Sequence, residues 1–255
     1  MLITSTKNDT VKLLRALKDR AARRETGLHL IEGERLVFDA LASGAKAEHI
    51  LVEDGREPVI RKLESLGVDY NTAKRQVIEA VSDTKTPQGI AAAVKTPDMT
   101  APKTYPRGLI VALDRLQDPG NLGTVIRTAD AMGAAAVLLG EGCTDAFSPK
   151  CLRAAMGSAY HLPVYEAELT KELIKLKQEG RTLICGHLDG AERLADITGD
   201  AVIVVGNEGS GVSDEVAGIC TLYRLPMYGR AESLNASVAA SILIYEISKR
   251  IHGGG

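Results

Sequence analysis

Short, uniformly apolar segments alternate with amphipathic helical patterns along most of this chain. Leu109–Leu113 and Ala201–Val205 contain only apolar residues, and the second segment is almost entirely β-branched. Strands of this kind belong to a parallel sheet that is covered on both faces. Because strand and helix patterns follow one another in turn, the sequence predicts an α/β fold.

A proline-rich segment divides the chain of 255 residues into two parts. Thr96–Pro106 reads TPDMTAPKTYP and contains few apolar residues, which is typical of a linker. We therefore predict a first domain over residues 1–96, a linker over 97–106 and a second domain over 107–255. Both domains show the strand–helix alternation, and it predicts a small first domain with a largely parallel sheet.

The composition and the absence of several motifs exclude other classes of protein. Apolar residues make up 45% of the chain and charged residues 25%, which argues against global disorder. No run approaches the roughly 20 apolar residues that span a bilayer, and the start lacks a signal-peptide pattern, so we expect a cytosolic protein. The cysteines and histidines form no CxxC or HExxH motif, and no GxSxG is present. We therefore predict no metal site.

The first 25 residues are basic, with seven lysines and arginines against three acidic residues. Most of these charges lie on one predicted helix from about Asn8 to Ala22. A basic helix can contact a phosphate backbone, and Lys12, Arg15, Arg23 and Arg24 are the candidate RNA contacts. A solvated helix face is the alternative interpretation.

Three loops of the second domain are rich in glycine and polar residues, and each follows a predicted strand. They cover residues 113–123, 205–213 and 225–237. Ligands bind at the carboxyl ends of strands in an open parallel sheet, so these loops are the candidate site. In the first loop, Asn121 can cap a helix that carries Arg127 about two turns further on, an arrangement that suits a phosphate.

The second loop has three glycines within residues 206–211, which indicates close approach of the backbone to a ligand or else a tight turn. It lacks both the Gly-Lys-Ser/Thr of a P-loop and the GxGxxG spacing of a dinucleotide site. In the third loop, Ser233 or Asn235 is a candidate cap for the last helix.

The three loops together resemble the three motifs of the SpoU/TrmH family of RNA ribose 2′-O-methyltransferases. The matching segments, in order, are NLGTVIRTADAMG, VVGNEGSGVSDEV and LPMYGRAESLNASVAASILIYE. In the first domain, LIEGERLVFDAL is similar to the ribosomal-protein-like substrate-binding domain that precedes the catalytic domain in many such enzymes. The resemblance covers about residues 107–252 of the second domain and is closest to the ribosomal-RNA branch.

The resemblance implies a fold, a cofactor and a set of site residues. The catalytic domain would be a parallel-sheet SPOUT methyltransferase domain with a deep trefoil knot, and its knot loops would bind S-adenosylmethionine. The cofactor-binding residues implied are Gly206, Leu225, Met227 and Leu234. The catalytic residues implied are Asn121, Arg127, Glu208, Ser233 and Asn235. Arg127 is either the activating base or the group that holds the target phosphate and stabilises the developing alkoxide.

The resemblance also implies partners. Members of the family are homodimers, and the separate first domain favours ribosomal RNA over transfer RNA as the substrate. A transfer-RNA ribose methyltransferase and a non-catalytic RNA-binding protein that retains the fold are the alternatives. All five polar motif residues are present, which favours catalysis.

Overall fold

The computed structural model describes residues 1–194, 197 and 199–253, and these form two compact units. The first unit comprises Met1–Pro97 together with Phe147–Tyr160. The second comprises Asp98–Ala146 together with the described residues from His161 onward. None of the described helices is both long enough and apolar enough to cross a membrane.

The first unit is built on a five-stranded sheet with the order β1-β4-β3-β5-β2. Its strands are β1 (Leu2–Ile3), β2 (Leu28–Glu32), β3 (Ala47–Glu53), β4 (Asn71–Ala73) and β5 (Ile90–Lys95). Its helices from the first part of the chain are α1 (Asp9–Ala16), α2 (Arg20–Thr26), α3 (Glu34–Ala42), α4 (Glu57–Ser65) and α5 (Arg75–Val81).

The direction of β5 differs from the prediction of a largely parallel sheet. β5 runs antiparallel to both of its neighbours, β2 and β3, whereas β1, β4 and β3 are parallel to one another. The other four strands point the same way, so the prediction is wrong for β5 alone. Strand–helix alternation reports which segments form layers. It does not report the direction in which a later strand enters between two earlier ones.

The basic N-terminal segment forms two helices instead of the single helix predicted over residues 8–22. α1 ends before Leu17, and Asp19 caps α2 by accepting a hydrogen bond from the backbone N–H of Ala21 at 3.1 Å. Arg23 is buried and donates to the carbonyl oxygens of Leu17 and Lys18 at 2.8 and 2.9 Å. The chain turns here because side-chain hydrogen bonds replace those of a continuous helix.

The second unit is built on a six-stranded sheet in which every paired strand is parallel, with the order β11-β9-β10-β6-β7-β8. Its strands are β6 (Leu109–Leu113), β7 (Ala136–Leu139), β8 (Val164–Glu166), β9 (Thr182–Ala191), β10 (Ala201–Val205) and β11 (Thr221–Tyr223). The remaining helices are α6 (Pro119–Ala131), α7 (Pro149–Ala155), α8 (Leu169–Gln178), α9 (Asp214–Ala217) and α10 (Ala236–His252). β6 and β10 are buried throughout, which confirms the parallel sheet predicted here.

The predicted linker packs against the second unit. The carbonyl oxygen of Met99 accepts a hydrogen bond from the N–H of Glu166 at 2.8 Å, so the segment covers the β8 edge of the sheet. Tyr105 is buried, and its hydroxyl donates to Glu172 in α8 at 2.9 Å. An edge covered in this way cannot pair with another strand.

Residues 147–160 pack with the first unit, although they lie within the sequence range predicted for the second domain. α7 contacts β2, and Arg153 forms an ion pair with Glu32 at 3.3 Å. The imidazole of His29, which is fully buried, lies 2.6 Å from the hydroxyl of Tyr160 in a hydrogen bond. These contacts join residues far apart in sequence, so no local pattern could indicate them.

Candidate active site

Three loops meet at the carboxyl edge of the second unit's sheet. Glu208, in the loop after β10, accepts hydrogen bonds from the loop after β6. The donors are the backbone N–H groups of Gln117 and Asp118, at 3.3 and 3.1 Å, and the side-chain amide of Asn121, at 2.9 Å. The loop after β10 is therefore tied to the start of α6.

The third loop reaches the same amide. The side-chain nitrogen of Asn235 donates to Oδ1 of Asn121 at 3.2 Å, and the hydroxyl of Ser237 lies 3.1 Å from that oxygen. Asn235 also caps α10, as the sequence predicts, by accepting from the N–H of Ser237 at 2.9 Å. The structure thus brings Asn121, Glu208 and Asn235 together.

Asn121 is not the cap of α6 that the sequence suggests. α6 begins at Pro119, and Asp118 is its N-cap, with Oδ1 accepting from the backbone N–H of Asn121 at 2.9 Å. Asp followed by Pro is a favoured helix start, since Asp caps well and Pro suits the first helical position. The side chain of Asn121 is therefore available for contacts with the other two loops.

Glu208 is an anion at neutral pH. Partial burial acts to raise the pKa of its carboxyl group, but hydrogen bonds from Asn121 and from backbone N–H groups lower it, and the result is a pKa below the usual value. An ionised carboxylate can only accept hydrogen bonds. Every group that faces Glu208 in this site must therefore be a donor.

Arg127 and Ser233 lie outside this hydrogen-bonded group. Both side chains are exposed, and neither forms a hydrogen bond or an ion pair with any residue that the structure describes. The buried face of α6 is supplied by Leu122, Gly123, Val125, Ile126 and Ala129. Arg127 therefore contributes nothing to the packing of its helix, and its charge is available to a ligand.

The glycine-rich loop closes on its own backbone. A Cβ atom at Gly206 would collide with backbone atoms of Gly211 and Val212. Asn207 and Gly211 exchange two backbone hydrogen bonds of 3.0 Å, and Gly211 has a φ of +68°. The tight turn that the sequence left as an alternative accounts for these glycines, and contact of Gly206 with a cofactor stays a prediction.

The segment from Leu225 to Ser233 contains two of the implied cofactor-binding residues, Leu225 and Met227. Its backbone makes no hydrogen bond to other backbone groups within the described ranges. Met227 and Leu234 expose apolar side chains beside these polar backbone groups, and Leu225 is half-buried. Small-molecule sites combine apolar contacts with a few polar backbone groups, and this segment has both. Its contact with the adenosine of S-adenosylmethionine stays a prediction.

Sequence reasoning missed three residues that hold the loops. Asp114, at the end of β6, is buried and accepts from the N–H of Ser213 at 2.7 Å. Asn207 donates to the carbonyl oxygen of Arg115 at 2.9 Å, and Ser237 contacts both site asparagines. The only signal for these residues was their position after a strand or beside a motif asparagine.

Two further features of the described residues concern possible metal ligands and the thiol of Cys143. The described part of the chain holds no group of three or more His, Cys, Asp or Glu side chains that could bind a metal ion. Burial raises the pKa of the Cys143 thiol to about 11, and its sulfur donates to the carbonyl oxygen of Leu113 at 3.2 Å. This thiol stays protonated at neutral pH and is a poor nucleophile.

The basic residues of the first unit occupy different environments. Arg15 and Arg24 are exposed, whereas Lys12 forms an ion pair with Asp9 at 2.8 Å. The guanidinium of Arg23 is buried and bonded to backbone carbonyls, as described above. Arg23 is therefore a structural residue, and a surface for RNA can include the other three only.

Fold and site together define a class of RNA-modifying enzyme, and family comparisons agree. Residues 108–245 match the SpoU rRNA Methylase family, and residues 8–92 match the MRM3-like substrate binding domain. The chain belongs to the SpoU rRNA methylase family. The resemblance found in the three motifs is confirmed, as is the α/β fold with its N-terminal substrate-binding domain.

Individual relatives cover nearly the whole chain. The 23S rRNA (guanosine(2553)-2′-O)-methyltransferase RlmP of Bacillus subtilis is 40% identical over 96% of this chain and 98% of its own length. The AdoMet-bound rRNA methyltransferase of Sinorhizobium meliloti is 33% identical, with a TM-score of 0.85 over 98% of this chain and 97% of that one. By contrast, the TrmH/SpoU tRNA modifying enzyme of A. aeolicus is 29% identical. That similarity covers 57% of this chain and 76% of the other chain, with a TM-score of 0.51.

Proposed function

We propose that this protein transfers a methyl group from S-adenosylmethionine to a ribose 2′-hydroxyl of ribosomal RNA, with 23S rRNA as the favoured substrate. The observation that carries the proposal is the convergence of three loops on Asn121, through Glu208 and Asn235. The RlmP relative supports the choice of 23S rRNA because the similarity includes the first unit. The similarity to the tRNA-modifying enzyme of A. aeolicus, by contrast, covers 57% of this chain. Since the RlmP relative is a bacterial enzyme of 23S rRNA, we propose a cytosolic location for this protein.

The residues of this chain would have separate tasks. S-adenosylmethionine, when bound, supplies an electrophilic methyl group. Leu225, Met227 and Leu234 would hold it together with the backbone around Gly206. A ribose hydroxyl is a poor nucleophile until it loses its proton.

Arg127 would hold the target phosphate and stabilise the negative charge that develops on the ribose oxygen. A guanidinium keeps its protons in proteins, so arginine is a poor base. The exposed hydroxyl of Ser233 would hydrogen-bond the substrate or Arg127.

The test compares purified RNA classes from a strain that lacks the gene. The enzyme and labelled S-adenosylmethionine are incubated with 23S rRNA, 16S rRNA and total tRNA, and the products are mapped by mass spectrometry. We expect one 2′-O-methyl nucleotide in 23S rRNA. Methylation of tRNA alone would identify the transfer-RNA alternative. RNA binding without methylation of any of the three would favour the non-catalytic one.

We expect the first unit to supply RNA affinity through α1 and α2. Replacing Lys12, Arg15 and Arg24 with glutamine should weaken RNA binding and flatten its salt dependence by about 2 to 3 in log–log slope, since fewer counterions are released. Binding isotherms at several salt concentrations measure the slope. Arg23→Gln is the contrasting variant, because loss of its buried hydrogen bonds should lower the melting temperature. An unchanged slope in the triple variant would show that these three charges lie on a solvated face of the helices and do not contact RNA.

We also propose that the protein is a homodimer that associates through α10. Val238, Ile242 and Tyr245 are 46%, 38% and 54% exposed, and their spacing places them on one face of the helix. An apolar stripe of this kind is characteristic of a contact surface. Tyr245→Asp should convert a dimer to a monomer in sedimentation experiments, whereas Lys171→Asp on α8 should not. A wild-type protein that sediments as a monomer would refute the proposal.

We further infer that the second unit carries the trefoil knot of the family. The support is the close approach of the end of β11 to the end of β9, where Tyr223 pairs with Ala191 across a register shift. A Cβ atom at Gly190 would lie 2.5 Å from the backbone nitrogen of Tyr223 and 2.7 Å from that of Arg224. Only a glycine leaves room for so close an approach of the two backbones.

A further inference from the structure

The side-chain amides of Asn121 and Asn235 belong to a chain of hydrogen bonds whose direction is set at both ends. We call the series from Glu208 through Asn121 and Asn235 to the first turn of α10 the amide chain. At one end stands the carboxylate of Glu208, which can only accept. It lies 2.9 Å from Nδ2 of Asn121, so the nitrogen of that amide, and not its oxygen, must face Glu208.

The other end of the amide chain is the start of α10. Oδ1 of Asn235 accepts from the backbone N–H groups of Ser237 and Val238 at 2.9 and 3.3 Å. Backbone N–H groups in the first turn of a helix can only donate. The oxygen of Asn235 therefore faces the helix, and its nitrogen faces Oδ1 of Asn121 at 3.2 Å. The two ends thus require the same orientation of both amides.

Ser237 completes the arrangement. It is only 6% exposed, and its hydroxyl lies 2.7 Å from Oδ1 of Asn235 and 3.1 Å from Oδ1 of Asn121. Both amide oxygens are therefore surrounded by donors. A hydroxyl carries a single proton, and here the two oxygens share it.

Each of the two amides keeps one N–H group that the hydrogen bonds described above do not use. Each side-chain nitrogen carries two N–H bonds, of which one is used within the amide chain. The second N–H of each has no partner among residues 1–194, 197 and 199–253. The groups that the pair leaves for a ligand are therefore chiefly N–H donors.

We propose that Asn121 and Asn235 act as hydrogen-bond donors to the ribose 2′-oxygen as it gains negative charge, with Glu208 and Ser237 as positioning residues. This inference rests on the proposed function. The 2′-hydroxyl loses its proton to solvent ahead of bond formation, so the oxygen carries negative charge when it approaches the methyl carbon. As the oxygen–carbon bond forms, the carbon–sulfur bond breaks with its electron pair left on sulfur. Donors aimed at a developing oxyanion stabilise the transition state more than the ground state.

The decisive variant is Asn235→Asp. Aspartate caps a helix as well as asparagine does, so the melting temperature should stay close to that of the wild type. The change replaces the donating nitrogen with an acceptor that faces Oδ1 of Asn121, and kcat should fall at least about tenfold. If Asn235 serves through its oxygen, the variant keeps full activity and the inference is overturned. A rise in KM for RNA with unchanged kcat would also overturn it, and would indicate a phosphate oxygen as the ligand.

Gln117→Glu controls for charge. Gln117 is exposed, and only its backbone N–H contacts Glu208, so the variant adds a negative charge beside the site without replacing an amide of the chain. We expect a much smaller loss of kcat than in Asn235→Asp. An equal loss in the two variants would mean that charge alone explains the effect, against the inference.

A measurement independent of activity tests whether the side chain of Asn121 faces Glu208. Asn121→Asp places a carboxyl group within hydrogen-bond distance of Glu208, and two carboxylates at that distance cannot both ionise freely. In NMR titration, one carboxyl group of the pair should titrate well above the ordinary aspartate pKa of about 3.9. An introduced carboxyl with an ordinary pKa would show that this side chain does not face Glu208. This result is obtained even if the protein methylates no RNA, so it separates failure of the inference from failure of the proposed function.

Discussion

Replacing Arg127 with alanine should lower the rate of methyl transfer at least about 100-fold, on the scale of losing one preorganised electrostatic donor. The physical reason is that Arg127 is exposed and forms no hydrogen bond or ion pair with any residue in the described ranges. Its loss therefore breaks no internal contact, and the melting temperature and the affinity for S-adenosylmethionine should change little. Single-turnover methylation and a melting curve measure both quantities.

Two further variants sharpen this prediction. Arg127→Lys should restore little activity, because a point charge cannot reproduce the planar, forked donor set of a guanidinium. Lys171→Ala removes an exposed positive charge from α8 in the same unit and should leave the rate unchanged. Near-normal turnover in Arg127→Ala would remove this residue from the site. A large fall in its melting temperature would instead assign it a structural role.

Replacing Gly206 with valine should abolish detectable binding of S-adenosylmethionine. The cause differs from the one that the sequence suggests, since the added side chain would meet the loop itself before it met a ligand. Even a Cβ atom would collide with the backbone of Gly211 and Val212, so the loop that carries Glu208 must move. Because backbone atoms cannot move aside as a flexible side chain can, we expect Gly206→Ala to show the same loss.

The same loop provides a matched control for Gly206. A Cβ atom at Gly209 would meet only Oδ1 of Asn207, at an ordinary contact distance of 3.6 Å. Gly209→Ala should therefore keep its affinity in calorimetry and its melting temperature. Undiminished affinity in Gly206→Val would be incompatible with the loop described above, and equal losses in Gly206→Ala and Gly209→Ala would point to general sensitivity of the loop.

Several elements of the second unit were predictable from local sequence alone. β6 and β10 are where the sequence predicts them because short apolar runs with β-branched residues favour a strand covered on both faces. Asn235 was recognisable as a cap because the helix after it has a clear apolar pattern. The family was recognisable because its three motifs are short and contiguous, and the match over residues 108–245 confirms it.

Contacts between distant residues decided the rest. Asn121 lies 87 residues from Glu208 and 114 from Asn235, so its place at the centre of the site depends on the order of the strands. The antiparallel direction of β5, the packing of residues 147–160 with the first unit and the burial of Arg23 likewise depend on the tertiary structure. Sequence patterns indicate which residues prefer the core or the solvent and with what period apolar residues recur. Which hydrogen-bond donor meets which acceptor is decided only when the strands have paired, because pairing sets the distances between loops.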